Sequence, residues 1–456
     1  MLFCSVNNRI RKLFLGLMAF ISFLFQINEL QATHLRAGEI IATKRSTFEY
    51  DFTLVLYRNT NGVEQPNAEL DFGDGTSQKV DLFKQDSLDQ KTQRLIFNFR
   101  KNFPGAATYT VSFREINRNN GILNINSGFS DNTAFYVESQ VTIDPLLGAN
   151  TSPQFLYPPL DNGNINQTYT HGPAAWDAEG DSLSYELITP QSQKGTTVPN
   201  YVLPNQIGNN GSNPTFTMNS QTGLITWEKP LRQGLYNIAF KVNEWRNGYL
   251  IGYVVRDMQI NILFSTNIVP ILNIPKDTCL TAGLLLKDTI TATFQENETK
   301  SLQAYSGIFS FPKPKDIFNA KTKLFKQTNT AESMSFEWQT GCELIRAQPY
   351  QVTFEAQDNI GEAISLSAIK VWQIKIIPPA LTILKATPSG RKITLNWDAY
   401  FCSNVDSIAI LRKECENDTP LVTDSCDTGR DIPKGYNLIK KVRKTATSFT
   451  DDLSLI

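Results

Sequence analysis

The 456-residue chain is poor in histidine and in charge of either sign. It has only two histidines, His34 and His171, and its 43 basic and 44 acidic residues leave a net charge of −1. Charged residues make up 19% of the chain, and no basic stripe with interleaved aromatic residues is present, so the sequence indicates no nucleic-acid partner. Two histidines also exclude a histidine-rich metal centre.

Sequence signatures of common catalytic sites are absent as well. The chain has no Gly-x-Ser-x-Gly elbow, no His-Glu-x-x-His motif and no phosphate-binding glycine loop. His171 precedes Gly172 and Pro173, which favours a loop residue over a general base. We therefore predict that the protein is not an enzyme. A secreted hydrolase that needs only two carboxylates, as glycosidases do, remains an alternative.

Long hydrophobic runs are rare, and the single prominent one is at the N-terminus. Leu13–Phe25 follows the basic residues Arg9, Arg11 and Lys12, and Ala32 offers a small residue for cleavage. This pattern predicts a signal peptide and a mature start near Thr33; an uncleaved membrane anchor is the alternative. No later stretch reaches 18 apolar residues, so we predict no further transmembrane segment and a secreted, cell-surface location.

Helical periodicity is nearly absent, whereas strand patterns recur along the whole chain. Phenylalanine (28) and tyrosine (15) are abundant. Alternating segments such as Phe48–Tyr57 and Gly234–Val242 are bounded by turn residues. A chain of this length exceeds a single core. The pattern predicts an all-β fold of tandem immunoglobulin-like antiparallel β-sandwiches after the signal peptide.

Turn signals and composition divide the chain into four modules. The predicted organisation is a signal peptide at 1–32, a first module at 33–146, a linker at 147–165, a second module at 166–264, a third module at 265–377 and a fourth module at 380–456. The linker is rich in Asn, Pro and Gly. Pro378–Pro379 is expected to form a stiff hinge before the fourth module.

An acidic turn at the start of the second module is the most informative local feature. Asp177, Glu179 and Asp181 alternate around Gly180, and carboxylates concentrated on one turn repel each other unless a cation neutralises them. These three residues are therefore predicted calcium ligands. The candidates to complete the coordination shell are Asp257, Glu244 and Asp161.

Other interpretations of the acidic turn remain open. An EF-hand loop is not matched, because Ile188 occupies the twelfth position, where a bidentate glutamate is needed. The alternative is a solvated turn without metal. If calcium binds, we expect it to stiffen the joint between the first and second modules.

Five cysteines follow the signal peptide, and export predicts that they form disulfides. We expect bonds between Cys279 and Cys342 and between Cys415 and Cys426. Cys402 is then left over. Its pairing with Cys415 or with Cys426 is the competing arrangement.

Three further residues have structural interpretations that compete with functional ones. Asp71 and Asp74 lie among glycines and are expected to shape a tight turn. Trp245 precedes Asn247–Gly248; it is interpreted as a core residue, and stacking on a sugar ring is the alternative.

Several segments resemble those of known families. Thr33–Ile40, Asn117–Ile122 and Leu147–Pro159 together resemble large secreted surface proteins of Bacteroidetes, which are associated with gliding motility and type IX secretion. The resemblance covers most of the chain. It implies export by that route and attachment to the cell surface.

Individual modules also resemble known module types. Leu70–Gly75 is similar to the turn of PKD-type sandwiches. Asp177–Tyr185, followed by Gly223–Trp227, resembles cadherin-like repeats, in which acidic positions at a module edge bind calcium. The segment 380–456 resembles a fibronectin type III domain through Ile393–Trp397, Ile410–Arg412 and Thr447–Asp451. That module is expected to be incomplete, and a sorting domain is then expected beyond it.

These observations predict a secreted or cell-surface multidomain scaffold or adhesion protein with calcium-stiffened modules. Its ligand is expected to be an extracellular protein or a glycan. The alternative is a carbohydrate-binding accessory protein for polysaccharide use.

Overall fold

The computed structural model describes residues 34–453 except 90, 149, 209–213, 296–298, 359–364, 382–383, 406, 414–425, 427–431 and 433–434. The predicted signal peptide and Cys415 lie outside the described residues. Every regular element in the described part is a β-strand or a short 3-10 helix, which confirms the all-β prediction. Within that part, no helix is long and apolar enough to span a membrane.

The described residues up to 263 form nineteen strands. They are β1 (Leu35–Lys44), β2 (Glu49–Asn59), β3 (Asn67–Asp71), β4 (Ser77–Asp81), β5 (Lys84–Asp89), β6 (Thr92–Asn102), β7 (Ala107–Glu115), β8 (Phe135–Ile143), β9 (Gln154–Phe155), β10 (Asp161–Asn164), β11 (Tyr169–His171), β12 (Ala175–Trp176), β13 (Ser182–Ile188), β14 (Gln191–Gln193), β15 (Thr196–Thr197), β16 (Phe216–Met218), β17 (Ile225–Trp227), β18 (Gly234–Arg246) and β19 (Tyr249–Leu263).

The described residues after 263 form thirteen strands. They are β20 (Ile271–Asn273), β21 (Thr278–Thr281), β22 (Leu285–Thr293), β23 (Lys300–Tyr305), β24 (Lys321–Gln327), β25 (Ala331–Gln339), β26 (Tyr350–Asp358), β27 (Ser367–Ile377), β28 (Lys385–Ser389), β29 (Lys392–Asn396), β30 (Ser407–Arg412), β31 (Asn437–Arg443) and β32 (Ser448–Asp452). Six 3-10 helices lie at Asn126–Gly128, Ser130–Asn132, Pro204–Gln206, Gly307–Phe309, Lys315–Phe318 and Cys342–Leu344.

The first module folds because its strands alternate buried and exposed side chains. In β2, Tyr50, Phe52, Leu54 and Leu56 are all buried, while the intervening residues up to Val55 are half-buried. This period of two places the apolar side chains on one face of the sheet. That face forms a single large hydrophobic core with the strands around it.

One sheet continues from the first module into the second. The long strand β19 pairs along one edge with β18. Its other edge is divided among β8, where Gly252 lies opposite Val141, β1, where Gly38 lies opposite Asp257, and the parallel strand β10. The predicted linker 147–165 therefore contains strands of the fold, and the first two modules share a twelve-stranded sheet.

The third module is a sandwich of two four-stranded sheets. One sheet has the order β20-β22-β25-β24 and the other β21-β27-β26-β23. Trp338 and Trp372 are fully buried in the core between them. This face-to-face packing of mainly antiparallel sheets matches the predicted immunoglobulin-like architecture.

The fourth module has a three-stranded sheet, β28-β29-β32, and a two-stranded sheet, β30-β31. Its small core contains Trp397, Ile408 and Ile410. The boundaries of the modules and the fibronectin type III assignment remain predictions.

The disulfides differ from the predicted pairs. Cys279 is bonded to Cys426, with 5.3 Å between their Cα atoms, and Cys342 is bonded to Cys402, with 5.4 Å between theirs. The predicted Cys279–Cys342 bond is therefore wrong, as is the predicted partner of Cys426. Both bonds join the third module to the fourth, because the packing of the two modules brings loops together that are distant in sequence.

Candidate metal centre

The acidic turn lies between β12 and β13 and is organised around one carboxylate. Asp177 Oδ1 accepts hydrogen bonds from the backbone N–H groups of Gly180 and Asp181, each at 2.6 Å. Gly180 has a φ of +90°, in the left-handed region that favours glycine. The turn folds over Asp177 and leaves it only 4% exposed.

A second carboxylate reaches the turn from β18. Leu183 of β13 lies opposite Glu244 of β18, which brings Glu244 next to the turn. Glu244 is 0% exposed. The Glu244 side chain has room in this position because residue 252 is glycine. A Cβ added at Gly252 would lie 2.6 Å from the carbonyl oxygen of Gln140 and 3.3 Å from Glu244 Oε2. Glycine at this position lets β19 approach β8 closely.

Two of the three predicted calcium ligands are brought together with Glu244. Carboxylate oxygens of Asp177, Asp181 and Glu244 all lie within 4.8 Å of one another; we call these three residues the acidic cluster. Glu179 is exposed and instead accepts hydrogen bonds from Thr151.

The other two residues considered as additional ligands lie in different contacts. Asp161 contacts His171 and accepts a hydrogen bond from Tyr157 Oη at 2.8 Å. Asp257 forms a buried ion pair with Arg118. Of the three candidates, Glu244 is the one in position. His171, predicted in a loop, lies in β11 and is fully buried.

An arginine and an asparagine complete the polar surroundings of the acidic cluster. Arg246 pairs with Asp181, and its Nη2 donates to Asn150 Oδ1 at 2.8 Å. Asn150 Nδ2 in turn donates to Glu244 Oε2 at 2.8 Å. Arg346 of the third module also interacts electrostatically with Asp177. Two guanidinium groups therefore face three carboxyl groups, which leaves an excess of one negative charge when all are ionised.

Two oxygens of the acidic cluster have no donor. Asp177 Oδ2 and Glu244 Oε1 are buried and accept no hydrogen bond from the described residues. Burial, followed by the neighbouring Asp177, raises the pKa of Glu244 to about 10, and burial also raises the pKa of Asp177. Buried charge of this kind requires neutralisation. A bound proton or a hard divalent cation provides it, and carboxylate and amide oxygens suit calcium.

The acidic cluster also faces the third module. A small pocket of about 30 Å³ is lined by Asp177 and Asp181 from the second module and by Arg346 from the third. Arg346 stacks over the ring of Tyr350, 3.6 Å from its centroid, and lies 5.6 Å from the centroid of Trp176. The acidic cluster thus lies where three parts of the chain meet: the linker that follows the first module, the second module, and the third module.

The remaining sequence-predicted residues have structural roles. Asp71 Oδ1 accepts from Gly73 N at 2.7 Å, and Asp74 Oδ1 accepts from Thr76 N at 3.0 Å, as expected for a tight turn. Trp245 lies at the end of β18 and is half-buried, with its indole N–H donating to Ser184 Oγ at 2.8 Å.

Sequence reasoning missed Asn150 and Arg246. Asn150 belongs to the predicted linker, and Arg246 lies between Trp245 and the turn residues Asn247–Gly248. No local sequence signal connects either residue to the acidic turn. Arg246 comes close to the turn because β13 pairs with β18.

Comparisons with known proteins show no matching family model and no matching curated protein. Among solved structures, tandem Ig repeats of Dlar are 11% identical and cover 50% of this chain and 98% of their own, with a TM-score of 0.20. The N-terminal eight Ig domains of DSCAM are 10% identical and cover 85% of this chain and 48% of their own, with a TM-score of 0.19. Similarities of this size carry no argument, so the architecture rests on the sheets described above.

Proposed function

We propose that this protein is an extracellular scaffold or adhesion protein whose β-modules form a stiff arm, with calcium bound at the acidic cluster. The observation that supports this most is the position of the acidic cluster at the meeting point of three parts of the chain. A cation there would neutralise carboxylates of the second module that otherwise repel each other. It would thereby fix the acidic cluster, which Asn150 of the linker and Arg346 of the third module contact.

The contacts between modules support a stiff arm. Two buried ion pairs, Arg118–Asp257 and Arg256–Glu39, join the first module to β19. The second and third modules are joined by hydrogen bonds such as Gln351 Nε2 to the carbonyl oxygen of Gln221, at 2.7 Å. The disulfides join the third module to the fourth. Each successive pair of modules is therefore joined by ion pairs, hydrogen bonds or disulfides.

Export and surface attachment belong to the same proposal. The signal-peptide pattern, the disulfides and the resemblance to Bacteroidetes surface proteins support it. A role in gliding motility with type IX secretion, and a ligand that is an extracellular protein or a glycan, follow from that resemblance. Carbohydrate binding stays the alternative, and the half-buried ring of Trp245, whose indole N–H donates to Ser184 Oγ, is the group through which it would act.

Isothermal titration calorimetry with calcium chloride tests the metal assignment on the mature chain. Wild type is expected to bind one calcium ion, and Asp181→Asn and Glu244→Gln are expected to weaken binding at least tenfold, since each removes one ligand charge. Asp71→Asn is the matched control: it alters a turn acid outside the acidic cluster and should bind like wild type. Equal calcium binding by Glu244→Gln and wild type would contradict the assignment.

A further inference from the structure

A second buried polar group lies between the second and third modules, and the proposed function does not use it. Tyr157 Oη lies 2.8 Å from Asp161 Oδ1 and 2.6 Å from Glu355 Oε1. Asp161 belongs to β10, and Glu355 belongs to β26 of the third module. Tyr157 and Glu355 are 3% and 4% exposed. One phenol therefore bridges, in a buried position, a carboxyl group of the third module and one of β10, the linker strand that pairs with β19 of the second module.

Each carboxyl group has further partners. Ser367 Oγ lies 2.9 Å from Glu355 Oε1, and Tyr305 Oη lies 2.9 Å from Glu355 Oε2. Asp161 Oδ2 contacts His171 Nδ1. We call Tyr157, Asp161, His171, Tyr305, Glu355 and Ser367 the joint cluster.

The joint cluster is short of hydrogen atoms when both carboxyl groups are ionised. Its five contacts are supplied by four donors, because the hydroxyl groups of Tyr157, Tyr305 and Ser367 and the Nδ1–H of His171 give one hydrogen each. The hydroxyl group of Tyr157 can donate its single hydrogen to only one of the two carboxylates. In its contact with the other carboxylate, the phenol oxygen and a carboxylate oxygen then lie together with no hydrogen between them. One additional proton on a carboxyl group supplies the missing hydrogen bond.

The described residues packed around the joint cluster keep water away from it and provide no free cation that could take the place of this additional proton. Tyr157 packs with Ala174 and Ile369 in a small apolar cluster that shields the site from water. Arg256 donates to the carbonyl oxygen of Tyr157 at 2.7 Å, but its guanidinium is paired with Glu39.

The remaining ionisable neighbour is Tyr169, whose hydroxyl interacts with Asp161. The pKa of Glu355 is raised mainly by burial, and the nearby carboxyl group of Asp161 raises it further.

We propose that the joint cluster is a proton-binding site that fastens the second module to the third when Glu355 is protonated. The sign follows from linkage: a carboxyl group with a raised pKa in the folded state stabilises the fold below its unfolded pKa. That stabilisation is lost as the pH rises through the folded value. The joint is therefore firmest under acidic conditions and loosens towards alkaline pH.

The backbone N–H of Ile369 reports on this joint, because it donates to Thr170 Oγ1 across the two modules at 2.8 Å. Hydrogen exchange of the peptide containing Ile369 is measured from about pH 5 to about pH 9 in a calcium chelator, after correction for intrinsic exchange. In wild type, protection should fall by up to about tenfold per pH unit above the folded pKa of Glu355.

Glu355→Gln mimics the protonated side chain, so its protection should not change with pH. Glu332→Gln is the matched control, since Glu332 is a buried glutamate of the same module in a different contact, with Gln327. It should respond to pH like wild type. Equal pH responses of wild type and Glu355→Gln would overturn the proposal.

Infrared titration decides the matter if Glu355→Gln does not fold. The chain is then titrated in an Asp177→Asn/Glu179→Gln/Glu244→Gln background, which removes the other carboxyl groups of the described residues whose pKa burial raises. A protonated-carboxyl band that persists above the usual glutamate range supports the proposal, and loss of all such bands within that range overturns it. Neither measurement depends on calcium binding, so this proposal and the calcium assignment fail separately.

Discussion

The guanidinium of Arg118 forms a bidentate ion pair with the carboxylate of Asp257, with Nη1–Oδ1 and Nη2–Oδ2 distances of 2.9 and 2.7 Å. The two side chains are 1% and 0% exposed. Arg118 follows the first-module strand β7, whereas Asp257 lies in β19. The adjacent residue, Arg256, pairs with Glu39 of β1. Two neighbouring residues of β19, one cationic and one anionic, are thus each paired with a residue of opposite charge from the first module.

Removing one partner of this pair should be costly. Arg118→Met leaves Asp257 buried without its cation, and we expect a loss of about 3–5 kcal/mol in the free energy of unfolding. The double variant Arg118→Met/Asp257→Leu should recover much of the loss, because no charge remains buried. Urea unfolding followed by circular dichroism measures both. A loss below about 1 kcal/mol for Arg118→Met, as for an exposed pair, would contradict the arrangement.

The shared sheet predicts that the first module does not fold alone. A fragment of residues 34–146 lacks β19, so Arg118 and Glu39 lose their partners and the edges of β8 and β1 are left unpaired. We expect this fragment to aggregate or remain unfolded. A fragment of residues 34–264 should be folded and should unfold in one transition in scanning calorimetry. A stable, monomeric 34–146 fragment would show that the modules are independent.

The disulfides predict a covalent bond between the third and fourth modules that does not depend on the backbone. A protease site inserted after Pro379 cuts the chain between β27 and β28. The two pieces should stay together on a non-reducing gel and separate after reduction. Cys279→Ser/Cys342→Ser is the control and should separate without reduction. Each bond closes a long loop, with sequence separations of 147 and 60, and should contribute about 4–5 kcal/mol on the chain-entropy account.

The sequence predicted the strands well because each strand carries its own signal. Alternation in Phe48–Tyr57 corresponds to β2, and Gly234–Val242 lies within β18. This information is local, since a period of two is visible in a few residues. The acidic turn was recognisable for the same reason.

Relationships between distant strands could not be predicted in this way. The pairing of β19 with β8 and β1 depends on complementary surfaces more than 100 residues apart. Arg118 lies within Asn117–Ile122, which was noticed only as a family resemblance and proves to hold a buried ion pair. The predicted cysteine pairs are wrong because each lies within one module, whereas the packing of two modules decides both bonds.

Scanning calorimetry of the mature chain, in saturating calcium and in chelator, tests the central claim most directly. Calcium should raise the unfolding temperature of wild type, with a stabilisation of about 2.7 kcal/mol at a hundredfold excess over the dissociation constant. Glu244→Gln should be at least as stable as wild type in chelator, since it removes a buried acid with a raised pKa. At the same calcium concentration it should gain at most about half of the wild-type stabilisation, because its binding is at least tenfold weaker. Identical unfolding temperatures of wild type with and without calcium would contradict the account.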